Sequence, residues 1–243
     1  MINFFRKIRL NVLYEGKTGK YLKYTFGEII LVVIGILIAL QINNCNEGRK
    51  INEKEVLLIK NIIEDLTSDS DHTNQSLDEL EEQLGVVDSL IAKAIDSTKT
   101  LNYDYTGLVR YSSDFRPKSQ RSHAEAVSNL KNESKREILQ DYFLKEDQVL
   151  DIFLEYEKIV HNEIRPYLRE SGMHNLNSLY TRGSDVKIQM MLKPLILDAE
   201  LKKVKFQQIL YERRLKTAYF KKLLSELMMK NEELIKILRL ENK

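Results

Sequence analysis

Glu157 and His161 stand four residues apart in a stretch of helical pattern, so their side chains leave one face and could share a cation. Two ligands do not make a site, and no second pair accompanies them. His72, His123 and His174 are scattered, with no His-x-x-x-His or His-Glu-x-x-His spacing. A Glu–His pair at this spacing is more often a surface contact, so we expect no metal and no cofactor. There is no glycine-rich phosphate loop and no Gly-x-Ser-x-Gly elbow. The irregular stretches 100–121 and 170–193 lack a convergent acid, base and nucleophile. The expectation is a protein that is not an enzyme, with no small-molecule substrate evident.

Glu28 is the residue with the most unusual setting. It is the one charge in residues 24–42, a stretch in which eleven of nineteen residues are Ile, Leu or Val. A carboxylate at the edge of an apolar span is costly and marks a functional candidate. It either pairs with Lys20 or Lys23 at an interface or faces a partner. Gly35 and Ala39 lie one turn apart, with Gly27 two turns before Gly35. Such a face permits close approach of helices in lipid. Gly27, Glu28, Gly35 and Ala39 are therefore the candidate anchor and helix-packing residues.

These residues require a helix in a membrane. Nineteen helical residues reach ~28 Å, against a hydrocarbon core of ~30 Å. Eleven aliphatic residues contribute about −3 to −7 kcal/mol on the insertion scale. The uninterrupted apolar run, 29–40, is also short enough for a buried core helix. A cleaved signal fits less well, because no small-x-small site follows. Before the span, Phe4, Phe5, Arg6, Lys7 and Arg9 belong to an amphipathic, basic segment suited to a membrane surface. Six Lys and Arg precede the span and four follow within twenty residues, which favours a cytoplasmic N-terminus and a periplasmic bulk.

The segment from Met1 to Arg9, and the run Tyr24-Thr25-Phe26-Gly27-Glu28-Ile29 through Gly35-Ile36-Leu37-Ile38-Ala39-Leu40-Gln41-Ile42-Asn43-Asn44, resemble a family of uncharacterised bacterial membrane proteins. That family carries a domain of unknown function and is found mainly in flavobacteria-like species. The resemblance is close over residues 1–47 and loose afterwards. There Asn132, Arg136 and Ile138 are similar to a recurring helix start. The family usually has Trp where Cys45 stands, which argues against a thiol or lipid role for Cys45. The resemblance implies an anchored helical protein and supplies no catalytic residues.

Nine glycines, three prolines and 30% charged residues favour long helices, and the absence of Trp argues against a sheet. Thirty-eight basic and thirty-six acidic residues give no case for nucleic-acid binding. The fold class expected is all-α: a transmembrane helix continuing toward a long antiparallel, coiled-coil-like bundle. Its organisation is a basic cytoplasmic arm over 1–23, a transmembrane helix over 24–44 and a helical bundle over 45–243.

One helix is predicted over 47–99. A heptad frame through Val56, Ile59, Ile63, Leu66, Ser70, Thr73, Leu77, Leu80, Leu84, Val87, Ile91 and Ala94 has a polar layer in its middle. A break at 67–76 is the competing reading, since Ser76-x-x-Glu79 is a capping-box pattern. Residues 100–121 read as an aromatic-bearing loop packed on the bundle. Helices follow over 121–131, over 133–169 ended by Pro166 and the Ser171-Gly172 pair, and over 195–240 after Pro194, with a short helix near 186–192. Glu146 interrupts the apolar frame of the second of these, and Asn231 that of the last. Lys202-Lys203, Arg213-Arg214 and Lys221-Lys222 read as outer helix face, and Met190-Met191 and Met228-Met229 as core filling. The function expected is a membrane-anchored scaffold or interaction protein. Its partners are the lipid bilayer and either further copies of itself or other membrane proteins. An oligomeric accessory or sensor subunit is the alternative. A sensor would need a cytoplasmic effector domain, which the arm is too short to be.

Overall fold

Few glycines and prolines leave little to stop a helix once it starts, and the first one runs far. The computed structural model describes the backbone over residues 18–179 and 190–240. Among these residues there are six α-helices and no strand, only an isolated bridge between His174 and Leu192. The all-α expectation holds. Residues 1–17, with Phe4, Phe5, Arg6, Lys7 and Arg9, lie outside the described residues, as does most of the short helix expected near 186–192.

Helix α1 spans Thr18–Ile95 and contains no proline. It is unbroken through residues 67–76, so the capping-box break does not occur. The chain divides into two compact units between Leu57 and Leu58. In the first, the apolar residues of positions 29–42 are between 47% and 70% exposed. One stretch of α1 near the N-terminus is long and apolar enough to cross a membrane, and none of it is buried.

In the second unit α1 is followed by a 3-10 turn at Tyr103–Arg110, α2 at Ser119–Ser128, α3 at Glu133–Lys158, α4 at Arg165–Glu170, α5 at Pro194–Glu200 and α6 at Val204–Leu240. Here α1 buries Ile59, Ile62, Leu66, Asp69, Thr73, Ser76, Leu80, Gln83, Val87 and Leu90, a strict 3,4 alternation. This seam corrects the expected frame. It shares Ile59, Leu66, Thr73, Leu80 and Val87, but its alternate positions are Ile62, Asp69, Ser76, Gln83 and Leu90. Ile63, Leu77, Leu84 and Ile91 sit at its flank, partly buried. Apolar counting put them at the centre because three true seam positions are polar.

The remaining helices close over that seam. Phe115, Phe153, Tyr156 and Phe220 form an aromatic cluster with neighbouring centroids 5.1–6.3 Å apart, in the edge-to-face and tilted geometries aromatic rings favour. A second cluster, around Val87, Leu168, Leu197, Phe206 and Leu210, includes Tyr167 stacked on Phe206 at 4.9 Å. The 100–121 stretch is a packed loop, as expected. Its turn presses so close to Met191 that a Cβ on Gly107 would stand 2.8 Å from the Met191 Cβ.

Of the expected helix ends, one holds in part and one does not. Pro166 does not stop the helix before it. A proline lacks the N–H and crowds the carbonyl four residues back. The chain relieves this with a π turn at Ile159–Ile164, where the Arg165 N–H bonds the Val160 carbonyl, and continues to Glu170. The expected Ser171-Gly172 pair ends it, in a Schellman motif: the Gly172 N–H, at φ 71°, bonds the Arg169 carbonyl, and the Met173 N–H bonds the Leu168 carbonyl. The last helix is interrupted at residues 201–203, so Pro194 opens the short α5 and not α6.

Candidate functional site

The sequence-predicted positions fall in the first unit. Gly27, Glu28, Gly35 and Ala39 lie on the exposed part of α1, and a Cβ on Gly27 or Gly35 would meet nothing within 4 Å. The Glu157–His161 pair is a surface contact at 3.8 Å, with His161 Nδ1 3.2 Å from Arg165. Among the described residues no group of three or more His, Cys, Asp or Glu could hold a metal. Met191 fills core as expected, whereas Met190 and Met229 are exposed.

The chemistry that stands out is inside the second unit, in two polar layers on the α1 seam. In the first, Asp69 reaches across to cap α2. The N-cap residue Lys118 supplies no side-chain cap. Asp69 replaces it, its carboxylate accepting the Lys118 N–H at 2.9 Å, the Ser119 N–H at 3.0 Å and the Ser119 hydroxyl at 2.9 Å. A negative charge at a helix N-terminus meets both unpaired N–H groups and the helix dipole. Ser119 Oγ also lies 2.7 Å from Glu146 Oε1 on α3. Glu146 is wholly buried, and its Oε2 has no hydrogen-bond partner. Burial pushes its carboxyl up to about 7, with the charge of Asp69 adding to the rise. One turn back on α3, the Tyr142 hydroxyl accepts from Asn231 Nδ2 at 3.0 Å, and the same amide donates to the Leu66 carbonyl at 3.1 Å. Burial pushes the Tyr142 phenol up as well. A cavity of about 30 Å³, lined by Asp69, Thr73, Ser76, Tyr142, Glu146 and Leu227 among others, lies at this layer.

The second layer lies about four turns further along α1, at Gln83. Gln83 Nε2 donates to Ser113 Oγ at 3.1 Å, and its Oε1 accepts from the Tyr156 hydroxyl and from Arg213 Nη2, both at 2.7 Å. Arg213 Nη2 also donates to the Tyr111 carbonyl at 2.8 Å, and the Ser113 N–H bonds the Tyr156 oxygen at 2.9 Å. The guanidinium sits 4.6 Å from the centroid of the Tyr156 ring. Arg213 is wholly buried, against the expectation of an outer-face pair, and burial pulls its pKa down. Its hydrogen-bond acceptors are both neutral, and the face of an aromatic ring supplies the further attraction. Arg214 behaves as expected, pairing with Asp88 at the surface at 2.5 Å.

Together the layers tie α1, the 111–119 segment, α3 and α6 to one another through hydrogen bonds that fix register. Ser119 cannot act as a nucleophile toward an outside substrate in this state, because it is fully buried and shares its hydroxyl between two carboxyl groups. Sequence reasoning flagged Glu146 and Asn231 as polar members of apolar frames. It missed Asp69, Gln83 and Arg213. The available signal was the 3,4 spacing from Ile62 to Leu90 counted without regard to polarity.

Residues 28–103 match the model of a family of unknown function, DUF6090. The matched region begins at Glu28 and ends at Tyr103, covering most of α1 and the entry to the 3-10 turn. No curated protein and no solved structure matches the chain.

Proposed function

We propose that the protein is a single-pass membrane-anchored scaffold whose helical bundle holds partner proteins and which catalyses no reaction. The carrying observation is the exposed apolar stretch of α1, every residue of which would otherwise face water. Burying eleven aliphatic side chains in lipid contributes about −3 to −7 kcal/mol on the insertion scale. The excess of basic residues before the span favours a cytoplasmic N-terminus and a periplasmic bundle, in the inner membrane of a bacterium. The Gly35–Ala39 face supports a second reading, an oligomeric accessory subunit of a membrane complex, because small residues let helices approach in lipid.

Purification of the cross-linked full-length protein from membranes tests the scaffold reading. Co-purifying proteins that depend on an intact bundle are the expected result. Recovery in an alkaline-washed soluble fraction would remove the anchor altogether. The oligomer reading predicts that Gly35→Leu lowers the size of the detergent-solubilised particle; an unchanged size ends it.

A further inference from the structure

We infer that the bundle core is a proton-binding site: in the folded protein Glu146 carries a proton, which completes a one-directional hydrogen-bond chain from Glu146 through Ser119 to Asp69. The argument is a count of hydrogens. Ser119 Oγ lies 2.7 Å from Glu146 Oε1 and 2.9 Å from Asp69 Oδ2, but a serine hydroxyl has one hydrogen to donate. With both carboxyl groups ionised, one contact would set lone pair against lone pair at hydrogen-bond distance. Asp69 already accepts the two N–H groups at the start of α2, which suits an anion. Besides Ser119, the donors to Glu146 are the Gln120 N–H and the Tyr142 hydroxyl, and its Oε2 meets no protein partner although wholly buried. A charged oxygen in that position costs far more than the carbonyl oxygen of a neutral acid. A proton on Glu146 Oε1 donates to Ser119 Oγ, whose own hydrogen then goes to Asp69, and every short contact has its hydrogen.

The surroundings agree. From α1 come Asp69 and His72, and from the preceding loop the ion pair of Asp114 and Arg116 at 3.0 Å, all beside the same cavity. Helix α2 offers Ser119 and the Gln120 backbone, and α3 itself offers Tyr142; all three favour ionisation, and burial outweighs them. Helix α6 contributes Leu227 to the cavity and the neutral Asn231, which bonds the Tyr142 hydroxyl. Lys145, next to Glu146, is turned toward Glu226 on α6.

The folded state therefore binds a proton that the unfolded chain, with an ordinary glutamate at 4.5, has released by neutral pH. Stability contributed by Glu146 is complete at acid pH and is lost as pH rises from about 4.5 to about 7. The test is the thermal midpoint of the detergent-solubilised full-length protein, followed by tyrosine circular dichroism from about pH 5 to about pH 8. Glu146→Gln, which keeps a donor and an acceptor without a charge, is expected to lose the downward slope of the wild type and to exceed it at the alkaline end. Parallel profiles for the two proteins would overturn the inference. A wild-type midpoint that changes when sodium replaces potassium at fixed ionic strength would also overturn it, since that marks an ionised carboxylate holding a cation. If the variant does not fold, the wild type labelled with 13C-glutamate decides. A label-shifted carboxylic-acid carbonyl band in the infrared at about pH 6 is expected, and its absence refutes the protonated state.

Discussion

Two parts of one helix obey different rules. Over residues 29–42 every side chain but Gln41 is small or apolar, all faces are alike, and all are exposed. Over residues 59–90 only one seam is buried, and four of its ten members are polar: Asp69, Thr73, Ser76 and Gln83, of which only Asp69 bears a carboxyl group. The first pattern suits a uniform apolar solvent. The second suits a protein interior that supplies hydrogen bonds at chosen points. Hydropathy reads the first directly and misreads the second, since a polar residue counts against burial whether or not a partner waits for it.

The sharpest way to break the comparison is to place the same charge in both parts. Leu66 is fully buried in the main core cluster. Leu66→Lys buries an unpaired ammonium and is expected to abolish cooperative unfolding of the bundle, a loss of several kcal/mol. Ile34→Lys is expected to leave the bundle's melting unchanged and instead to reduce recovery in the membrane fraction, at about 2.5–3.5 kcal/mol on the insertion scale. Melting curves and membrane fractionation of both variants check this. A bundle that melts early in the Ile34 variant would mean the two parts are not governed separately.

The next test separates charge from packing inside the seam. Arg213→Ala removes the contacts to Gln83, Tyr111 and the Tyr156 ring and leaves a cavity, so a loss of about 3 kcal/mol is expected. Arg213→Met fills most of the space without a charge to desolvate and is expected to recover much of that loss. Denaturant midpoints measure both. If Met is as damaging as Ala, the guanidinium's hydrogen bonds matter more than the volume it fills.

These residues also show where the sequence was legible. The apolar span, the all-α class and the helix around residues 133–158 follow from periodicity and breakers, because burial there is apolar. The seam was displaced by one position at Ile62, Asp69, Ser76, Gln83 and Leu90 because its polar members have partners from residues 111–119 and from Tyr156 and Arg213, contacts 30 to 130 residues away in sequence. Arg213 reads as surface beside its exposed neighbour Arg214, since nothing local distinguishes the two. Pro166 shows the converse: the rule that proline ends a helix is local, a π turn in the preceding residues evades it, and only the Ser171-Gly172 stop holds.

The smallest effect lies where sequence and structure agree best. Asn132 reads as the start of a helix, and it is the N-cap of α3, with extended backbone and a side chain accepting the Lys135 N–H at 3.0 Å. Arg136 adds a second tie by donating to the Leu130 carbonyl at 2.8 Å. Asn132→Ala removes the cap acceptor from an exposed position without opening a cavity, so about 1 kcal/mol of stability is expected to be lost. Asn132→Asp keeps the acceptor and adds charge at the helix's positive end, so it should restore the wild-type midpoint or exceed it slightly. Equal losses in both variants would show that the cap is incidental and that α3 is held by its buried face alone, as the seam of α1 is.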